Sequence, residues 1–421
     1  MIVNDDLNLQ SAMETPMTVT RRAWQRSALR TDEEFEQHRA VSWLELFFEL
    51  VFVVMIARLA HHLAGHLDVA GVLIFAVQFL AVFWVWNAFT YYTERFESDG
   101  LENRLFAFFA IVPVAGLAVF GEEGLGATYV GFALAYLLAR AVNQIGWARA
   151  AVHVPVFRPV AGRFLGGYAL VSTVILASFA ATGAARVALF TLAVVLDIAT
   201  PYFTVAQQGR LPGLSTSKFP ERFGLFTMIV LGESVVGVIV GLSELEDLGL
   251  LDGPGIVAGV LGLAIGFSLW WIYFDFVARR APKPVFVTAL FWVYLHLAAL
   301  TAITATGVGV SVALADTATG SLANPSRYLL VGSVVLGLVG IAALETTLAT
   351  GQHEPTHARL SPGLKVGVAA VIGTLGVLDL GWSTHALLVL LLAGLAVPMA
   401  YGAFVWFSYP VAQPASAAAD R

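Results

Sequence analysis

Two glutamates interrupt an otherwise hydrocarbon stretch, WLELFFELVFVV, at Glu45 and Glu49. Four positions apart, they share one face of a helix. A third acid, Glu233, lies in a second apolar stretch, FPERFGLFTMIVLGESVV. Buried carboxylates brought close together accept a proton or a cation, so Glu49 and Glu233 are candidates for holding one between them. Arg140, followed on its own helix by Asn143 and Gln144, can hold an anion or lock an acid. Asp197 and His296 complete a set of five ionisable groups that come out near the middle of apolar runs. Charge in hydrocarbon is costly and must face protein or water, so such groups mark solute or proton pathways by default. The static alternative pairs Arg140 with Asp197 or a glutamate and leaves the rest as hydrogen-bonding glue between helices.

The elements that must position these groups follow from composition. The chain has 421 residues, of which 58% are hydrophobic and 12% charged, and a mean hydropathy of +0.79. Soluble domains are roughly one quarter charged. Apolar runs of about 20 residues, enough to span a bilayer core, recur along the chain. The expected fold is therefore an all-α polytopic membrane protein with about twelve spans. They fall at roughly 41–64, 69–92, 103–120, 127–149, 165–183, 185–206, 222–242, 254–278, 285–314, 326–349, 363–380 and 384–408. Residues 1–40 read as a largely disordered tail, 207–221 as a linker and 409–421 as a short C-terminal tail. Pro113, Pro201 and Pro398 mark spans that can break or kink.

Arginine and lysine gather at the N-terminal tail and the even-numbered connections, for example Arg95, Arg149, Arg210, Arg280 and Arg359. The odd connections are acidic, with Glu122, Glu123, Glu244 and Asp252. The positive-inside rule then places both termini in the cytoplasm. Depth counted from the span ends at about 1.5 Å per residue puts Glu45, Asp275 and Glu345 near the cytoplasmic surface, as entrance or gate groups, and Arg58 near the outer one. The stretch FWVWNAFTYY, ending on Tyr91 and Tyr92, suits an interfacial aromatic belt or an aromatic gate. Shifting the chain by 184 residues pairs Glu49 with Glu233, Phe83 with Phe267, Trp86 with Trp270 and Arg95 with Arg279. That offset equals six spans and suggests two parallel halves, 41–206 and 222–408.

Other patterns point to ordinary roles. His62 and His66 are one helical turn apart with Asp68 following, a spacing compatible with a metal but also with an interfacial histidine cluster. His353 and His357 are separated by Pro355, which breaks the helical argument. Gly255, Gly259, Gly262 and Gly266 suit close helix packing. With no cysteine, disulfides, thiolate catalysis and iron–sulfur clusters are excluded. No nucleotide loop, GxSxG elbow or HExxH appears, and no cofactor is implied. Arg21, Arg22, Arg26 and Arg30 suit contact with anionic lipid rather than nucleic acid.

The stretches SWLELFFELVFVVMIARLA and FPERFGLFTMIVLGESVV resemble the two signature blocks of the bacterial low temperature requirement A (LtrA) family. Trp43, Glu45, Phe47, Phe48 and Glu49 carry the first; Glu221, Arg222, Phe223, Gly224, Gly232, Glu233 and Ser234 carry the second. Glu49 stands where aspartate is common in the family, a change that keeps the carboxylate. The resemblance implies a multi-pass protein of the bacterial inner membrane and names no substrate. The second block is also similar, more distantly, to a helix motif of six-plus-six potassium channels. The leading expectation is a transporter or channel-like protein handling protons, cations or a small solute, with membrane lipid as its other partner. The rivals are a lipid-acting intramembrane enzyme and a structural or regulatory membrane component; oligomeric state is not written in the sequence.

Overall fold

The computed structural model describes residues 26–29, 41–96, 100–278, 280–319, 322–349, 356–378 and 380–408. The expected disorder of residues 1–40, apart from 26–29, and the C-terminal tail 409–421 lie outside these. Twelve long helices carry the described chain, with no strand among the described residues. They are α1 (Trp43–Gly65), α2 (Val69–Arg95), α3 (Leu101–Phe120), α4 (Tyr129–His153), α5 (Arg158–Ser178) and α6 (Gly183–Ala199). Then follow α7 (Lys218–Asp247), α8 (Gly253–Tyr273), α9 (Phe286–Ala315), α10 (Asn324–Thr347), α11 (Leu360–Val377) and α12 (Thr384–Ser408).

Ten of these, counted with their short extensions, are long and apolar enough to cross a membrane. The exceptions are α1 and α4, which at 23 and 25 residues are equally long but carry Glu45, Glu49 and Arg58, and Arg140 and Arg149. Each of these two helices contributes to an ionic cluster described below.

Local sequence sets the helix ends. Ser42 caps α1: its hydroxyl accepts from the Glu45 amide, and the Glu45 carboxylate accepts from the Ser42 amide at 3.0 Å, a capping box. Asp68 caps α2 through the Gly71 amide at 2.7 Å, and Asp252 caps α8 through Gly255 at 2.8 Å. Of the three prolines, Pro113 and Pro398 sit inside continuous helices. Pro201 sits where α6 tightens into a 3-10 turn, Thr200–Thr204, with a one-turn helix Val205–Gln208 after it. That change of pitch shapes the cavity wall.

In the first half, α1 packs on α2 and α3, α3 on α4, α4 on α5, α5 on α6, and α2 on α4 and α6. Each of these neighbour pairs recurs six helices later, from α7 against α8 and α9 to α8 against α10 and α12. The packing order of the first six helices thus recurs in the second six. The halves join where α1 and α2 meet α7 and α9. An aromatic seam fills that junction: Trp86 lies 4.3 Å from Phe226 and 4.9 Å from Phe223 between ring centroids, with Phe52 and Phe83 beside Phe226. Outward-facing positions such as Val53, Val54, Leu73, Phe108 and Val236 are exposed and apolar, as a lipid-facing surface requires.

The stretch read as a linker behaves otherwise. The helix of the second half begins at Lys218 rather than 222, and 207–217 is tied to the bundle. The Ser215 amide donates to the Glu94 carboxylate at 2.8 Å, and Arg95 donates to the carbonyl of Pro212. Polar, glycine-rich composition concealed this because its anchors are distant side chains on α2.

Candidate functional site

The ionisable residues do not form one centre. They separate into clusters, each set by the helix that carries it.

At the helix ends that carry most of the arginine, the first cluster joins the halves. Glu45 accepts from Lys218 at 3.1 Å and from Arg222 at 3.2 Å, and Glu49 accepts from Arg222 at 3.3 Å. Arg222 also donates to the Thr93 hydroxyl at 2.8 Å. All four charged groups are buried. Two acids meet two bases, so the charges cancel inside the cluster, which borders a small cavity of about 30 Å³ at Glu45 and Arg222.

This overturns the expected meeting of Glu49 with Glu233. Both Arg222 and Glu233 lie on α7, eleven residues apart, or about 16 Å along a helix. Because Glu49 is fastened to Arg222, Glu233 lies well beyond its reach. Glu49 is also only two turns inside the start of α1, not halfway along it. Glu233 itself, at the middle of the 30-residue α7, is half-buried and has no hydrogen-bond or ion-pair partner among the described residues. Glu45 is a capping and pairing group of the same cluster rather than a separate entrance residue.

The second cluster belongs to α4 and α6. Tyr136, Arg140, Asn143 and Trp147 recur at helical spacing and share one face of α4. Arg140 Nη2 donates to Asp197 Oδ1 at 2.7 Å, and the Tyr136 hydroxyl donates to Asp197 Oδ2 at 2.6 Å. Arg140 is 5% exposed and Asp197 1%. Nε and Nη1 of Arg140 have no acceptor among the described residues, and neither has Asn87 Oδ1 a donor. Asn143 is held by the Ala88 carbonyl at 3.0 Å and by Trp147 Nε1 at 2.8 Å.

Arg140, Asp197, Asn87, Asn143, Tyr91 and Thr200 line a cavity of about 50 Å³, closed by Trp84, Phe164 and Phe286. A second cavity of about 140 Å³ lies beside it, walled by Arg95 and the 208–216 and 281–286 segments. The two share Gln208, Leu214, Phe286 and Ala289. Tyr91 stands at this neck: its hydroxyl donates to Gln208, while Arg95 Nε donates to it at 3.2 Å. On the opposite side of Arg140, Phe190 packs against Tyr129, Phe132 and Tyr136 at 5.8–5.9 Å between centroids. The chamber is thus constricted by hydrogen-bonded side chains toward the 207–217 connection and plugged by aromatic rings on the other side.

The remaining candidates are placed apart. His296 is buried against Phe223 and Trp292, with Nε2 2.9 Å from the Tyr273 hydroxyl and Nδ1 2.9 Å from the Trp292 carbonyl. It lines neither cavity. Glu345 accepts from Lys365 at 2.9 Å, from Ser361 at 3.0 Å and from Arg280 at 3.4 Å, closing a third cluster in the second half. Asp275, in a π-helical turn after α8, accepts from Trp271 Nε1 at 2.6 Å. Arg58 pairs with Glu122 at 2.7 Å on the exposed surface. His62 and His66 stack at 4.4 Å between centroids, and no three metal-capable side chains gather among the described residues. His353 lies outside the described residues.

Within the signature blocks, Trp43 is 88% exposed and Phe47 is exposed, whereas Phe48 packs between Phe52 and Phe89. Glu221 is exposed, Gly232 borders open space, and Ser234 is buried at the tight crossing of α7 with Gly266 and Gly307. Sequence reasoning passed over Asn87, Tyr136, Thr200 and Gln208. Tyr136 was detectable, lying one turn before Arg140, and Asn87 is a single amide in an apolar run. Lys218 was assigned to a surface connection because the start of α7 was placed four residues late.

This geometry defines a polytopic α-helical membrane protein with a buried polar chamber in its first half. The chain belongs to the LtrA family: the model for bacterial low temperature requirement A protein (LtrA) matches residues 40–402. It is similar to an uncharacterized protein of Rhizobium meliloti (strain 1021), 26% identical over 305 residues, covering 67% of this chain and 71% of the relative. No solved structure matches it.

Proposed function

We propose that this LtrA-family protein is a transporter or channel-like protein whose solute chamber is the Arg140–Asp197 cavity and whose entrance passes Tyr91 and Gln208. The observation that carries this reading is Arg140: a buried guanidinium with two nitrogens lacking acceptors, lining a cavity next to a larger one. A helix bundle built only for stability would satisfy those donors or replace the arginine with an apolar residue. In the orientation the arginine distribution favours, the larger cavity opens to the cytoplasm of a bacterial inner membrane and both termini share that side. The broken α6, with its backbone turning at Thr200 and Pro201 beside the chamber, is the kind of discontinuity that transporter sites use.

The alternative of a structural component fits the Glu45–Glu49–Lys218–Arg222 and Glu345–Lys365–Arg280 clusters, in which each acid has a basic partner. It leaves the cavity at Arg140 without a purpose. A lipid-acting enzyme drew on Glu49 and Glu233 as an acid–base pair, and their separation removes that pairing.

The test is flux through purified protein reconstituted in liposomes, with small polar solutes compared against empty liposomes. Arg140→Gln keeps hydrogen-bonding capacity but leaves Asp197 without its counter-charge; in variant protein that stays monodisperse, flux should fall about tenfold, the effect of one charge-assisted hydrogen bond. No solute passing faster than through empty liposomes would overturn the reading.

A further inference from the structure

The charge balance of the chamber narrows what it can hold, and this step rests on the solute-chamber reading above. Asp197 contacts Arg140 directly and is further bound by Tyr136. The cavity wall therefore carries one positive and one negative group, both buried and in contact. A bare anion entering would leave the chamber net negative beside Asp197 in a low-dielectric interior; a bare cation would meet the guanidinium. Neither ion finds a compensating charge. The unsatisfied groups instead ask for hydrogen bonds of both kinds. Arg140 Nε and Nη1 are donors without acceptors, and Asn87 Oδ1 is an acceptor without a donor.

The geometry points to a small uncharged solute as the occupant, one bearing a carbonyl or hydroxyl oxygen for Arg140 and an N–H or O–H for Asn87. Size agrees with this. A cavity of about 50 Å³ is several times the roughly 10–15 Å³ needed to admit one water, which leaves room for a small solute. Small amides have this donor–acceptor pattern. The apolar remainder of the wall, Trp84, Phe164, Phe286 and Val293, strips water from such a solute at low cost and from an ion at high cost. The Arg140–Asp197 pair thus acts as a charge-cancelled filter that supplies strong donors without supplying net charge.

The experiment is stopped-flow light scattering on proteoliposomes of the full chain, with urea and acetamide as neutral probes. Potassium nitrate with valinomycin reports on anions, and potassium flux with a protonophore reports on cations. The expected result is urea or acetamide entry about tenfold faster than in empty liposomes, with nitrate and potassium at background. Nitrate or potassium entry without neutral-solute entry would overturn the inference while leaving the transport reading standing. Background rates for every probe would overturn both. Asp197→Asn should uncover the arginine charge and raise nitrate entry about tenfold over the unmodified protein; unchanged nitrate entry in a well-folded variant would contradict the charge-cancelling role. The double variant Arg140→Gln/Asp197→Asn leaves no buried charge to destabilise the fold, and should keep the preference for urea over nitrate at a reduced rate. A double variant that favours nitrate would overturn the proposal.

Discussion

Two buried ionic clusters in this protein use the same residue types for different ends. At the junction of the halves, Glu45, Glu49, Lys218 and Arg222 satisfy one another, and an additional bond runs to Thr93. In the first half, Arg140 and Asp197 satisfy each other on one side only, and two guanidinium nitrogens are left over beside a cavity. The first arrangement is a clasp, because every strong group already has its partner, although a cavity of about 30 Å³ borders Glu45 and Arg222. The second is where we propose the site, because the pairing is incomplete on a residue that lines a cavity. Burial and charge alone do not distinguish them; the count of unspent donors does.

The comparison can be broken most directly at the clasp. Arg222→Leu strands the buried carboxylate of Glu49 and leaves Glu45 with Lys218 alone, and breaking such a pair costs roughly 3–5 kcal/mol. The expected outcome is loss of monodisperse protein on size-exclusion chromatography; a variant as thermostable as the parent would show that the cluster is not holding the halves. Glu345→Gln should act in the same direction but less severely, since its amide still accepts from Lys365 and Ser361, with a loss of about 1–3 kcal/mol read from thermal unfolding. Tyr91→Phe removes the hydroxyl linking Arg95 to Gln208 at the neck. A stability loss of about 1 kcal/mol should accompany a clear change in the rate of solute entry, and entry unchanged would remove Tyr91 from the pathway. Glu233→Gln should have the smallest effect, within about 0.5 kcal/mol, because Glu233 has no partner among the described residues to lose. A large destabilisation there would reveal an interaction that the bundle does not display.

Much of the bundle was legible in advance because hydropathy reports directly on span length and number. Pro201 marks the break after α6, whereas the Ser42–Glu45 capping box that starts α1 emerged only from the structure. The signature blocks were legible as a family mark, yet their purpose was misread: Glu49 and Glu233 look equivalent by offset and by sequence context. Spacing along one chain says which residues share a helix face, but not which helix that face meets. The start of α7 was placed late because KFPERF reads as polar surface, although it folds inward to meet α1.

The sequence by itself determined that the chain crosses a membrane many times, where its helices run, and that Arg140 and Asp197 each need a partner, because length and desolvation are properties of local composition. Only the tertiary structure decided that Arg222 closes on Glu45 and Glu49, that Arg140 closes on Asp197, and that of these two arginines Arg140 alone keeps nitrogens without acceptors. Those outcomes depend on how helices distant in the chain pack, and an ion pair's worth is set by the few ångströms between its partners.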